Sequence, residues 1–177
     1  PDAAGGTSND LASSGASTSP EGAGYDITLT ATDAVTGIAG LTLWGGISNI
    51  EQEAQANYSG DQEETTFAIS YAAGGFTVGY QWSEEDLGTS ANEKQYDNEG
   101  YGITFNINDD LSIGYNHYES EQSSDTTTTA EASSFQVAYS AGGASIRLAE
   151  SDVDNSAYQT ASSFDKSGTT LSVALAF

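Results

Sequence analysis

The stretch that decides the fold is LSVALAF, which runs from Leu171 to Phe177. Its large apolar side chains occupy alternate positions, and Ser or Ala fills the positions between them. Because successive side chains of a β-strand point to opposite faces, this stretch has one apolar face and one face of small or polar residues. The pattern predicts a strand over 168–177 that separates a lipid environment from a watery one.

The same alternation recurs along the chain and predicts about nine strands. Residues Phe76, Val78, Tyr80 and Trp82, for example, share one face of the fourth strand. A length of about ten residues is what a tilted strand needs to cross a bilayer. We therefore predict an all-β fold, a transmembrane antiparallel β-barrel. The predicted strands cover 24–33, 40–50, 64–73, 75–84, 99–108, 111–120, 132–140, 144–150 and 168–177.

The predicted connections alternate between short turns and long acidic loops. The short ones are 34–39, 73–75, 108–110 and 141–143. The long ones are about 51–63, 85–98, 121–131 and 151–167. Outer-membrane barrels have short periplasmic turns and long external loops. Because short and long connections alternate, we predict that residues 1–23 form another external loop and that residues 24–177 form the barrel portion.

An odd number of strands raises a problem of closure. Barrels of this class usually have an even number of strands, and the first predicted strand starts from the outside. We therefore expect N-terminal strands to precede Pro1. An alternative is a small closed eight-stranded barrel formed by residues 40–177.

Composition narrows the possible functions. The 177 residues include 26 acids against three bases, a formal net charge of −23, which argues against a nucleic-acid partner. There is no Cys, which excludes disulfides and thiol chemistry. Aromatic residues make up 10% of the chain and fall in periodic runs, which a disordered tail would lack. No apolar run is long enough for a transmembrane helix.

Several segments resemble one protein family. They are Phe76-Thr-Val-Gly-Tyr-Gln-Trp82, Leu111-Ser-Ile-Gly-Tyr-Asn-His-Tyr118, the Ala-Gly-Gly and Asn-Asp-Asp turns, and the terminal Phe177. Together they resemble the C-terminal part of a Gram-negative general porin of the alphaproteobacterial type, over residues 24–177.

This resemblance implies a sixteen-stranded, trimeric outer-membrane barrel, of which the chain supplies strands eight to sixteen. The constriction loop of that family follows its fifth strand and would lie outside this sequence. The resemblance also implies that Phe177 is the signal read by the outer-membrane assembly machinery. Implied partners are outer-membrane lipid, lipopolysaccharide and small hydrophilic solutes, with no cofactor.

Inward-facing residues are the candidates for function, since a channel works through its wall. Arg147 is the strongest single candidate, because Ile146 and Leu148 face outward and its guanidinium therefore faces the lumen. It either produces an electric field across the lumen or forms a salt bridge with Asp26 or a loop acid. Acidic loops at 61–64, 84–86 and 152–155 predict a preference for cations. The predicted pore-lining residues are Asp26, Thr28, Thr42, Gln81, Asn106, Asn116, Gln136 and Arg147.

Three further hypotheses concern other chemistry. Asp152, Asp154 and Asn155 are rich in oxygen and could bind calcium weakly, although their spacing is not that of an EF-hand. Trp44 points inward. It could provide a stacking surface for a solute, but a filled wall position or a local bulge is the simpler interpretation. His117 is the only histidine and faces outward, so we predict that the protein is not an enzyme. A non-conducting structural or adhesive barrel remains an alternative to a channel.

Overall fold

A single antiparallel sheet makes up the computed structural model, which describes residues 21–52, 60–89, 95–123 and 128–175. Within these residues nine strands pair strictly in chain order, so each strand hydrogen-bonds to the strands before and after it. The prediction of an all-β, antiparallel fold is confirmed. The strands are β1 Glu21–Ala31, β2 Leu41–Gln52, β3 Gln62–Ala73, β4 Phe76–Asp86, β5 Gln95–Asn106, β6 Leu111–Gln122, β7 Thr129–Ala141, β8 Ala144–Asp154 and β9 Lys166–Leu175.

The predicted short turns follow from their residues. Gly74 and Gly75 both have positive φ, 57° and 88°, which two-residue hairpin loops favour and which glycine adopts without steric cost. In the β5–β6 turn, the Asn108 side chain accepts hydrogen bonds from the backbone N–H groups of Asp110 and Leu111, each at 2.9 Å. The β1–β2 connection contains a short helix, α1 Asp33–Thr36. No helix in the described part of the chain has the length and apolar character to cross a bilayer.

Several strands run further than predicted at the ends that carry the long connections. β4 continues to Asp86 and β8 to Asp154, and their acidic ends remain paired with the neighbouring strands. The acidic segments at 62–64, 84–86 and 152–154, predicted as loops, therefore belong to strands. Backbone pairing does not depend on apolar side chains, so the ladder extends beyond the apolar part of each strand.

The described sheet is open, with β1 and β9 as its two edges. β2 pairs with β1 from Glu21 to Ala31 on one side and with β3 on the other. Because both sides of β2 are occupied, it has no free edge for β9. The alternative of a closed eight-stranded barrel over 40–177 is therefore wrong for this structure. Of the predicted external loop 1–23, residues 21–23 belong to β1 instead. Residues 1–20 and Phe177 lie outside the described residues, so the predictions for them stay predictions.

The sheet has almost no buried apolar core. Among the described residues, Ile50 is the one buried hydrophobic residue, at 2% exposure. Large side chains such as Phe76, Leu148 and Leu171 are 48%, 48% and 65% exposed. A water-soluble domain buries residues of this kind, since burial is the main favourable term in folding.

Candidate functional site

The candidate site is the polar face of the sheet. Directly paired residues of antiparallel strands share a face, so the strand register shows which side chains lie on the same face. We call a series of directly paired residues across several strands a register row. One register row on this face joins Thr42, Ser70, Gly79, Gly102 and Asn116 across β2 to β6. Small and hydroxylated side chains dominate the row, which leaves room beside the backbone for water.

This face encloses a concavity. A cavity of about 650 Å³ is lined by residues from β2 to β8, including Trp44 at one side and Arg147 at the other. These strands are six spacings apart, about 29 Å in a flat sheet at about 4.8 Å per spacing. One cavity bounded by both strands therefore requires that the sheet curls with its polar face inward. We call this the inner face, and the opposite one the outer face.

The register puts all the predicted pore-lining residues on the inner face. Gln81, Asn116, Gln136 and Arg147 line the cavity, and Gln136 donates a hydrogen bond of 3.4 Å to the Asn116 side chain. The others lie on the same face outside the cavity lining. They are Asp26 and Thr28 on β1, Thr42 on β2 and Asn106 at the end of β5.

Acidic and basic side chains occupy different parts of the inner face. Asp26, Glu64 and Glu85 lie on β1, β3 and β4, in one register row that also includes Ser48. Arg147 and Lys166 lie on β8 and β9, at the other side of the curled sheet. On the described inner face we call Asp26, Glu64 and Glu85 the acidic wall, and Arg147 and Lys166 the basic wall. The two cations lie in different register rows, since Arg147 is paired with Ser172 and Lys166 with Val153.

One buried glutamine bridges two carboxylates of the acidic wall. Gln62 is 9% exposed, and its amide donates to Glu64 at 3.3 Å and to Glu85 at 3.2 Å. Asp26 and Glu85 are both near enough to repel the charge of Glu64. A shared donor between two carboxylates reduces this repulsion without neutralising either charge.

Arg147 forms no ion pair with an acid in the part of the chain that the structure describes. The alternative of a salt bridge between Arg147 and Asp26 is therefore not found in this structure, in which the two residues lie on different walls. The strand parity placed Arg147 correctly. The same parity applied to Glu64, Glu85 and Lys166 would have found the two walls, but Glu85 and Lys166 were assigned to loops and Glu64 was treated as part of an acidic loop although it begins the predicted strand 64–73.

The chain matches no family model, no curated protein and no solved structure.

Two aromatic side chains interrupt the small residues of the inner face. Trp44 and Tyr118 lie in one register row and both line the cavity. Trp44 is paired regularly with Thr30 and Ala68, so the predicted bulge at this position is wrong. Tyr118 lies against Gly100 of the neighbouring strand, where a Cβ would meet its ring at 3.4 Å.

The remaining candidates lie on the outer face. His117 is 2.8 Å from Glu119, and its ring centroid is 5.2 Å from that of Tyr101. Its side chain thus packs among outer-face side chains, although residue 117 also borders the cavity. Asp152 and Asp154 also lie on the outer face, paired with Ser133 and Glu131.

The calcium hypothesis stays a prediction. Asn155 uses its side-chain amide to donate to the Thr129 carbonyl at 3.0 Å. Among the described residues, no three His, Asp or Glu side chains are grouped closely enough to hold a metal ion.

Proposed function

We propose that the protein forms part of an outer-membrane channel, a porin that lets small hydrophilic solutes and ions diffuse passively through a water-filled lumen. The observation that carries the proposal is the separation of the two faces. The outer face exposes Tyr25, Ile27, Phe135 and Leu171 at 54%, 58%, 51% and 65%, whereas the inner face is polar. Soluble monomers rarely expose continuous apolar patches of such extent.

The dimensions of the strands support this proposal. The twelve residues of β3 rise about 40 Å along the strand at about 3.4 Å per residue. At a tilt of about 40° they cover about 30 Å along the membrane normal, enough for the hydrocarbon core of a bilayer.

The open edges support a larger assembly. An unpaired strand edge in hydrocarbon leaves N–H and C=O groups without partners, at several kcal/mol each. We propose that further strands close the barrel beyond β1 and β9, in line with the sixteen strands that the resemblance implies. A homotrimer, contacts with lipopolysaccharide and reading of Phe177 by the assembly machinery belong to the same proposal and rest on the resemblance alone.

Inner-face charges support a preference for cations. The acidic wall has three carboxylates and the basic wall has two cations, and the chain as a whole is strongly acidic. Opposed walls of opposite sign also produce a field across the lumen, which orients dipolar solutes as they pass.

Electrical recording tests the proposal. The complete protein, extracted from outer membranes in detergent and added to a planar bilayer, is expected to give stepwise conductance with potassium favoured over chloride. A protein that inserts as a stable barrel but gives no conductance steps would overturn the channel and favour the structural or adhesive alternative.

A further inference from the structure

The connection between β8 and β9 folds over the inner face. Just after β8, the amide of Asn155 donates to the carbonyl of Thr129 on β7. Three residues later, the hydroxyl of Tyr158 is 2.8 Å from Ser120 on β6. The ring centroid of Tyr158 is 5.9 Å from that of Tyr96 on β5. The register puts Ser120 and Tyr96 on the inner face, so the connection reaches inward past β7 towards β5.

The backbone of this connection is bent rather than extended. Asn155, Ala157 and Tyr158 have φ of 53°, 57° and 57°. Non-glycine residues keep this left-handed conformation where surrounding contacts over-determine it. Such contacts are present, because the N–H of Asn155 donates to the Asp165 carboxylate at 3.1 Å and the Ser156 hydroxyl donates to the Phe164 carbonyl.

A network of hydroxyls anchors the connection to the wall. Tyr118 and Ser120 each donate to the side-chain oxygen of Asn98 at 2.7 Å. A serine hydroxyl has a single proton, and Ser120 gives it to Asn98. Tyr158 must therefore be the donor in its hydrogen bond with Ser120.

The network is an anchor rather than a recognition site for solutes. Ser120 is 7% exposed, whereas Tyr118 on the same strand and face is 42% exposed. The oxygen of Asn98 already accepts two protons, and Ser120 both donates and accepts. These groups satisfy one another, so they offer a passing solute little free hydrogen-bonding capacity.

We propose that residues 155–165 form a constriction of the lumen, and that Tyr158, held by Ser120, sets how far this constriction reaches inward. The proposal rests on the channel function proposed above and adds a specificity-determining residue to it. It puts an element that limits solute size within this chain, whereas the resemblance implies a constriction loop outside it.

Removal of the Tyr158 side chain tests the proposal directly. In planar bilayers, the complete protein with Tyr158→Ala is expected to give a single-channel conductance about 1.5-fold above that of the unaltered protein, because conductance follows the narrowest cross-section. In liposome-swelling assays it should admit larger neutral sugars. The matched control is Gln159→Ala, an exposed neighbour in the same connection, which should leave both readouts unchanged.

A double-mutant cycle tests the anchor itself. Tyr158→Phe removes the donor with little loss of volume, and Ser120→Ala removes the acceptor. Each is expected to raise conductance or its open-state noise. The double variant should add nothing further, because both changes break the same hydrogen bond between Tyr158 and Ser120. Tyr158→Phe keeps the test available if Tyr158→Ala fails to assemble.

The outcomes separate this proposal from the channel function. If the unaltered protein conducts and all these variants conduct identically to it, the constriction is overturned while the channel stands. Additive effects of Tyr158→Phe and Ser120→Ala would overturn the anchor. If the unaltered protein gave no conductance at all, the proposed channel function itself would be overturned.

Discussion

Two neighbouring register rows of the same six strands have opposite chemistry. The outer row, across β4 to β9, is Phe76, Phe105, Ile113, Val137, Leu148 and Leu171. The inner row, one residue away on each strand, is Thr77, Thr104, Gly114, Gln136, Ala149 and Thr170. Backbone and pairing are the same in both rows, so the side chains alone make one face apolar and the other polar.

The largest expected effect comes from a charge placed on the outer row. Val137→Lys puts an ammonium on the outer face in the middle of β7, and in the proposed outer-membrane channel lipid would surround it without solvating it. We expect it to destabilise the folded barrel by about 2–4 kcal/mol, the cost of a lysine at the bilayer midplane. Unfolding by denaturant in lipid vesicles measures this change.

Gln136→Lys is the matched control, because Gln136 precedes Val137 on the strand and lines the cavity. Its free energy of unfolding should stay within about 1 kcal/mol of the unaltered protein, since an inner-face charge remains in water. Equal destabilisation by the two lysines would contradict the assignment of the faces.

Two adjacent acids on opposite faces test whether a charge on the inner face affects ion selectivity more than a charge on the outer face. Glu64 lies on the acidic wall and Glu63 on the outer face. We expect Glu64→Gln to lower the permeability ratio of potassium to chloride by about 1.5-fold to twofold, because it removes a negative charge from the lumen wall. Reversal potentials in a salt gradient measure the ratio. Glu63→Gln should leave it unchanged, and equal shifts would show that the ratio does not depend on the face.

The smallest effect concerns like charges on the outer face beyond the apolar band. Glu131 is paired directly with Glu119 on one side and Asp154 on the other. Like charges directly opposite are destabilising, so we expect Glu131→Gln to stabilise the protein by about 0.2–1 kcal/mol. High salt should remove most of this gain, since it screens exposed charges. Thermal unfolding at low and high ionic strength measures both.

Glu150→Gln is the control for this charge effect. Glu150 is paired with Phe135 and Thr169, neither of them charged, and accepts a hydrogen bond from Thr169. Its replacement should give no gain in stability at either ionic strength. A gain equal to that of Glu131→Gln would mean that overall charge, rather than the facing pairs, matters.

Much of the fold could be predicted because it is local. Period-two alternation located all nine strands, and Gly74, Gly75 and Asn108 marked their turns through backbone requirements that neighbours in sequence satisfy. The strand ends at Asp86 and Asp154 were missed, because polarity was taken as the end of pairing. Hydrogen bonds between backbones continue whatever the side chains are.

The candidate site was only half predictable. Parity located Arg147 on the inner face, since it lies between the outward-facing residues Ile146 and Leu148, and it located Trp44 there because Trp44 follows the outward-facing Leu43. The grouping of Asp26, Glu64 and Glu85 was not visible, because it depends on the register between strands that are far apart in sequence.

The amino-acid sequence by itself determined which face of each strand is apolar, since a period of two is a property of the extended chain. It also determined where the hairpins turn. Only the tertiary structure decided that acids and bases form separate walls and that Tyr158 meets Ser120. Those neighbours are brought together by the register and curl of the whole sheet, which no short stretch of the chain encodes.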